Sequence, residues 1–335
     1  MRSSWAVAAF RGAVEASAVA AAIALSAGLV RILPWLLDTS VTWRVAAPFA
    51  RSLLVVALEA AVAVGWPLGW ALAGVAFVRS GEGRVMSLLG ERPARTVSRL
   101  VPQAIAFVAL LGGLSFASAR ESTEPGRIVS ELIADGRAAC LHASSGETRT
   151  YTVPFFDAAW LCGAGVEARL VGQGPGPLAS LTFSARDARA SGDLGSIDLD
   201  DAHIALAAPR VTLHVDALHL RGTAPWGHAS NVAPLARALT LSSAVGLSAL
   251  SAVGLVLSGR DRSRLDAIVI GAAGPIVTLA LLRAAERFLG ARPAHVGGDC
   301  ALLLIPPIAV AVPVIFAWLA ARLPGLWHAA SRNRV

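Results

Sequence analysis

Three apolar spans, a polar strand-patterned insert of about 118 residues, and three more apolar spans follow one another along this 335-residue chain. That order constrains the fold more than any single residue does. A stretch of ~20 apolar residues is long enough, as a helix, to cross a ~30 Å hydrocarbon core. The chain is 55% apolar and only 15% charged, with a mean hydropathy of +0.62, whereas about a quarter of a soluble domain is charged. The expected fold is a polytopic α-helical membrane protein with six transmembrane helices arranged 3+3 and an inserted all-β domain. The boundaries read as 1–118 for the first three helices, 119–236 for the insert, and 237–335 for the last three helices and the tail.

The first span runs from about Val14 to Leu37 and reads as a retained anchor. The second, Pro48 to Val78, holds Glu59 and Pro67 and exceeds one crossing, so it should protrude or kink near Pro67. The third covers Leu100 to Ala119, and the later three cover Leu239 to Leu257, Leu265 to Leu289 and Ala301 to Leu323. Six crossings put the N-terminus, the 79–99 loop, the 260–264 loop and the tail on one side. All four are rich in arginine, so that side is expected to be cytoplasmic. The insert, expected outside, holds 9 Arg against 13 acidic residues; the rest of the chain holds 20 Arg against 9. Basic charge beside membrane spans reflects topology and anionic lipid, not nucleic acid.

The insert alternates apolar and polar residues around Tyr151, Arg169, Phe183 and Thr212, with glycine and proline clusters between, as short strands of a sandwich, jellyroll or barrel do. Residues 121–137 read as a helix leading into the first strand. Cys140 and Cys162 lie in the insert, where a disulfide can persist; a Cys140–Cys162 bond and two buried thiols both fit. Cys300 reads as a packing residue. His203, His214 and His219 read as solvated or hydrogen-bonded strand residues. The run Asp198-Leu-Asp-Asp201 reads as a solvated turn, since it lacks the ligand spacing of a calcium loop.

Every basic residue is arginine, because the chain has no lysine. That excludes a Walker A lysine, a Ser-x-x-Lys pair and a Schiff base. Neither Gly-x-Ser-x-Gly nor His-Glu-x-x-His occurs, and no Cys/His spacing suits zinc. No residue is assigned to catalysis, to a metal or to a cofactor.

The informative charges sit at the membrane. Glu59 lies inside a span, where ionisable groups are costly; a local partner would be Arg51 or Arg31. Arg31, Arg44 and Arg51 gather at the outer end of the first two spans, against the positive-inside preference. They snorkel to the interface or form a basic ring for an anionic headgroup, since guanidinium pairs bidentately with phosphate. In the 79–99 loop, residues 80–92 suit a short amphipathic helix. Val85, Met86 and Leu89 would form its apolar face, which docks into a partner or lies on lipid.

These residues resemble the lipopolysaccharide export permeases, the LptF/LptG family of ABC-transporter membrane subunits, and more closely the F-type. Leu29-Val-Arg-Ile-Leu33 looks like the end of that family's first helix. Pro67-Leu-Gly through Arg79 and Glu82-x-x-x-Met86-x-x-x-Gly90 is similar to its helix-end and coupling-helix pattern. Gly83 and Arg84 depart from it, in that more apolar, helix-favouring residues follow the glutamate in the family. The resemblance implies a periplasmic β-jellyroll and an inner-membrane location with both termini cytoplasmic. It implies headgroup contact by Arg31, extended here to Arg44 and Arg51, and ATPase coupling through Glu82, Met86 and Gly90 with their apolar neighbours Val85 and Leu89. The implied partners are a cytoplasmic ATPase subunit dimer, a second permease, a periplasmic bridge protein, lipopolysaccharide and membrane lipids. A membrane scaffold or sensor with a ligand-binding outer domain is the competing reading, and an integral-membrane enzyme the weaker third.

Overall fold

The computed structural model describes residues 4–36, 43–121, 124–141, 148–153, 156–163, 166–173, 181–190, 196–206, 211–221, 232–259, 263–290 and 302–322. The chain divides into two compact units. One comprises residues 1–26, 55–117 and 230–335; the other comprises 27–54 and 118–229. The second is larger than the expected insert because it takes the end of the first helix and the start of the second. Ala46 and Phe49 explain the difference, since both are buried in the same core as the strands.

Among the described residues, five helices are long and apolar enough to cross a membrane by length and composition. They lie in α1 (Ser4–Leu36), α2 (Trp43–Arg79), α5 (Val101–Glu121), α7 (Pro234–Ser258) and α8 (Arg264–Gly290). Two short helices, α3 (Glu82–Leu88) and α4 (Pro93–Ser98), separate the second and third of these, and α6 (Glu124–Leu141) precedes the strands. The sixth expected span is α9 (Ile305–Arg322), whose apolar stretch, Ile305–Trp318, is shorter. A helix satisfies its backbone hydrogen bonds internally, which is why apolar spans adopt it in lipid. α2 is one helix through Pro67; at ~1.5 Å per residue its 37 residues extend roughly 55 Å.

Without a hydrophobic drive between helices in lipid, close packing of small residues must hold them together. α1 and α2 meet this way. A Cβ placed on Gly69 would lie 2.6 Å from the Ala13 Cα and closer still to the Gly12 carbonyl oxygen. Around that contact Trp66 stacks on Phe107 at 5.0 Å and meets Trp70 edge-on at 5.2 Å. All three belong to the buried core of the helical unit.

The other unit is built on a fully antiparallel sheet of β1 (Thr148–Val153), β2 (Phe156–Gly163), β3 (Val166–Gln173), β4 (Leu181–Ala185), β5 (Asp187–Ala190), β6 (Ser196–Leu206) and β7 (Val211–Arg221). Among the described residues each strand pairs with its neighbours in the chain, and β4 and β5 act as two halves of one strand along β6. Among the described residues β1 and β7 each pair on one side only. The sheet packs against α6, whose Val129 and Ile133 are buried with Trp160, Leu170, Phe183 and Leu199. The helix expected near 121–137 is therefore part of this unit's core. The Asp198–Asp201 run, expected as a turn, lies within β6. Alternation explains how: Ile197 and Leu199 point inward, which turns Asp198 and Asp200 to solvent.

The alternation skips one residue at a single level of the sheet. Phe183 and Ala185 are buried, then Ala188; Ile197 and Leu199 are buried, then Ala202 and Ile204. The pairing register does not shift, since Ser184 faces His203 and Asp187 faces Asp200. The skip falls at Arg186 and Asp201. Asp201 has φ 51°, a left-handed conformation that aspartate tolerates better than most residues.

Candidate functional site

A buried ion cluster joins four helices of the helical unit. Arg237 in the first turn of α7 donates Nη1–H to Glu59 Oε1 at 2.6 Å and Nη2–H to Glu59 Oε2 at 3.3 Å. Its Nε–H reaches Glu286 Oε1 of α8 at 2.8 Å. Nη1 also contacts the Ser115 hydroxyl at 2.7 Å and the Ser115 carbonyl at 3.1 Å on α5. Both glutamate side chains are only 5% exposed. One planar fork thus serves two carboxylates and a serine, a task suited to arginine's five fixed donors.

The described partner of Glu59 is therefore Arg237, not Arg51 as its neighbourhood suggested. Arg51 pairs instead with Glu121 at 2.7 Å. The difference has a geometric cause: Glu59 lies on a buried face of α2 while the Arg51 side chain is 71% exposed. The side chains of Arg31 and Arg44 lie outside the described residues. Sequence reasoning singled out neither Arg237 nor Glu286. The usable signal was complementary charge: two acids and one base inside apolar segments.

The second site is α3. It begins at Glu82 despite Gly83 and Arg84, and Glu82 is the acidic residue of its first turn, where the helix dipole favours it. Gly81 (φ 84°) and Gly90 (φ 76°) bracket the helix. Glu91 N–H donates to the Met86 carbonyl at 3.0 Å, closing the helix in a Schellman cap that requires a left-handed residue at position 90. Gly90 thus sets where α3 ends. On this short helix Val85 is 56% exposed and Leu88 86%, and Leu89 just past its end is 76% exposed. Met86 is half-buried. Leu88, the most exposed of them, was not singled out from sequence because the period suggested Val85, Met86 and Leu89.

A groove of about 810 Å³ runs between α1 and α2 and reaches α3. Its walls include Gly12, Val19, Ile23, Leu72 and Phe77, and Arg11, Glu15 and Glu82 contribute polar groups. Arg11 and Glu15 pair at 2.7 Å. α1 is the least covered of the five long helices: 17% of its most apolar stretch is buried, against 56% for α7.

In the β unit, Cys140 of α6 and Cys162 of β2 form a disulfide, with Cα atoms 5.4 Å apart. His219 Nδ1 lies 2.6 Å from Asp198 Oδ1 across the β6–β7 ladder. His203 and His214 face each other in the same ladder with ring centroids 4.5 Å apart. Comparison with known proteins finds no matching family model and no matching curated protein.

Proposed function

We propose that the chain is the membrane permease subunit of an ABC transporter that draws lipopolysaccharide out of the bacterial inner membrane. The observation that carries this reading is α3: a helix between two candidate spans that presents Val85, Leu88 and Leu89 to solvent. Burying one such side chain in a partner is worth ~1.5–3 kcal/mol, so an exposed trio is a docking surface. The arginine-rich 79–99 loop supports a cytoplasmic location for it by charge. With no lysine for a P-loop, the chain takes its energy from a partner ATPase dimer.

The uncovered flank of α1 supports the rest. Phe10, Val14, Val19 and Ile23 are exposed there, and Leu265, Ile268 and Ile276 are exposed on α8. These faces suit a second, related permease and an apolar cavity for acyl chains between the two. Arg31, with Arg44 and Arg51, would hold the headgroup phosphates. ATP-driven closure would push on residues 82–90 and narrow the cavity. The lipid would pass to the periplasmic β-jellyroll-like unit and on to a bridge protein, which can add a strand to an open edge such as β7. The chain itself would be non-catalytic.

The test is co-purification from native membranes in mild detergent. A nucleotide-hydrolysing subunit should accompany the full chain, and Glu82→Arg or Leu88→Asp should each remove it without lowering thermal stability. Arg31→Glu should leave the complex assembled and abolish lipopolysaccharide-stimulated ATP hydrolysis. An ATPase that remains bound in both α3 variants sinks the coupling role. A stable chain that brings down no ATPase at all favours the scaffold or sensor reading.

A further inference from the structure

We propose that the β6–β7 ladder carries a binding site for a zinc-class divalent transition metal, formed by His203, His214 and Asp201. Each of these side chains offers one ligand atom, and the three atoms lie within 4.8 Å of one another. Zinc binds imidazole nitrogen at about 2.0–2.1 Å and carboxylate oxygen at about 2.0–2.2 Å. Ligand atoms ~2.0–2.2 Å from a tetrahedral ion lie roughly 3.4 Å apart, so closing the set would draw the three side chains inward.

The backbone does the positioning. His203 and His214 are directly opposite in the antiparallel register, the closest placement two strands give two side chains. Strict alternation from Ile197 and Leu199 would turn His203 inward. The left-handed residue at Asp201 shifts the alternation, so Ala202 is buried and His203 faces solvent beside His214. The same residue brings its own carboxylate to the pair, with Asp201 Oδ1 3.6 Å from His214 Nδ1.

The surrounding groups fit a metal role. Arg169 of β3 donates Nη2–H to Asp201 Oδ2 at 2.7 Å, which orients the carboxylate and leaves Oδ1 free for the ion. Outer-shell partners of this kind fix ligand geometry. Asp216 of β7 is a further charged neighbour, with Oδ1 3.9 Å from His214 Nε2. Ser184 of β4 lies opposite His203 on its other side. Two imidazoles and one carboxylate favour zinc, copper, nickel or iron(II) over magnesium or calcium, which take all-oxygen sites. The ion would tie β7, which among the described residues pairs on one side only, to β6.

The experiment is a competition titration of the full chain in detergent, affinity tag removed, with a chromophoric zinc indicator. One zinc per chain is expected, unaffected by excess magnesium. His203→Ala with His214→Ala should weaken binding at least tenfold. Asp201→Asn, which keeps a residue that tolerates φ 51°, should do the same. His219→Ala and Cys300→Ser should leave the affinity unchanged. Three results would overturn the site: no stoichiometric zinc, zinc retained by the double histidine variant, or displacement by magnesium.

Discussion

Arg237→Met isolates the buried cluster. The side chain is close in length and flexible, so the volume is largely kept and the donors are lost. Glu59 and Glu286, each 5% exposed, then face each other's surroundings without a cation, and the Ser115 hydroxyl loses its partner. Breaking a buried ion pair by removing one member costs ~3–5 kcal/mol, because the charge left behind is uncompensated. Glu59→Gln is the informative contrast. It leaves Arg237 paired with Glu286 at 2.8 Å and still offers a carbonyl oxygen to Nη1. A lost charge-assisted contact replaced by a neutral one should cost ~1 kcal/mol. At roughly 2–4 °C per kcal/mol for a unit of this size, Arg237→Met should lower Tm by roughly 6–20 °C and Glu59→Gln by a few degrees. The assay is thermal unfolding in detergent followed by near-UV circular dichroism, with buried Trp66 and Trp70 as reporters in the same core. A double variant, Arg237→Met with Glu59→Gln, should recover part of the loss. Equal losses in the two single variants, or no recovery in the double, would refute the argument that one guanidinium compensates both carboxylates.

Three further substitutions test the packing. Reducing the Cys140–Cys162 bond should shift the chain's mobility on a non-reducing gel, and Cys162→Ser should destabilise the β unit by about 3 kcal/mol, the value for cross-linking residues 22 apart; unchanged protease resistance of the variant would contradict this. Gly69→Ala should cost ~1–3 kcal/mol because its Cβ meets the backbone of Gly12 and Ala13, which cannot rotate away. Gly254→Ala, with nothing within 4 Å, should instead stabilise α7 by up to ~1 kcal/mol. Thermal unfolding of the pair should give opposite signs.

The sequence made the long helices and most strands legible because each is written in a local period. Apolar runs of membrane length and the alternation around Phe183 and Thr212 need no knowledge of the rest of the chain. What escaped depends on distance or on one unusual dihedral. Glu59 stood out as an acid in an apolar span, but its partner lies 178 positions away, while Arg51 lies two turns away on the same helix. The Asp198–Asp201 run looked like a turn because three acids in four residues suggest solvent on all sides. In β6 they reach solvent by alternation and by the shift at Asp201. His203 and His214 were each legible as strand residues, but their pairing required the register of β6 with β7.

The Arg51–Glu121 pair bears on the proposed headgroup ring, since an arginine already engaged with a carboxylate is a weaker candidate for phosphate. Arg51 is 71% exposed and Glu121 16%, and a pair with one solvated member is worth roughly 1 kcal/mol or less. A guanidinium–phosphate contact is charge-assisted as the carboxylate pair is, and it can be bidentate. In the proposed ring a lipid phosphate would compete with Glu121 for Arg51. If Arg51 takes part in this way, Glu121→Gln should tighten the binding of an anionic lipid by up to about fivefold, the equivalent of ~1 kcal/mol. The same substitution should leave binding of a zwitterionic lipid unchanged. An effect of equal size on both lipids would assign Glu121 to local packing and remove Arg51 from the ring.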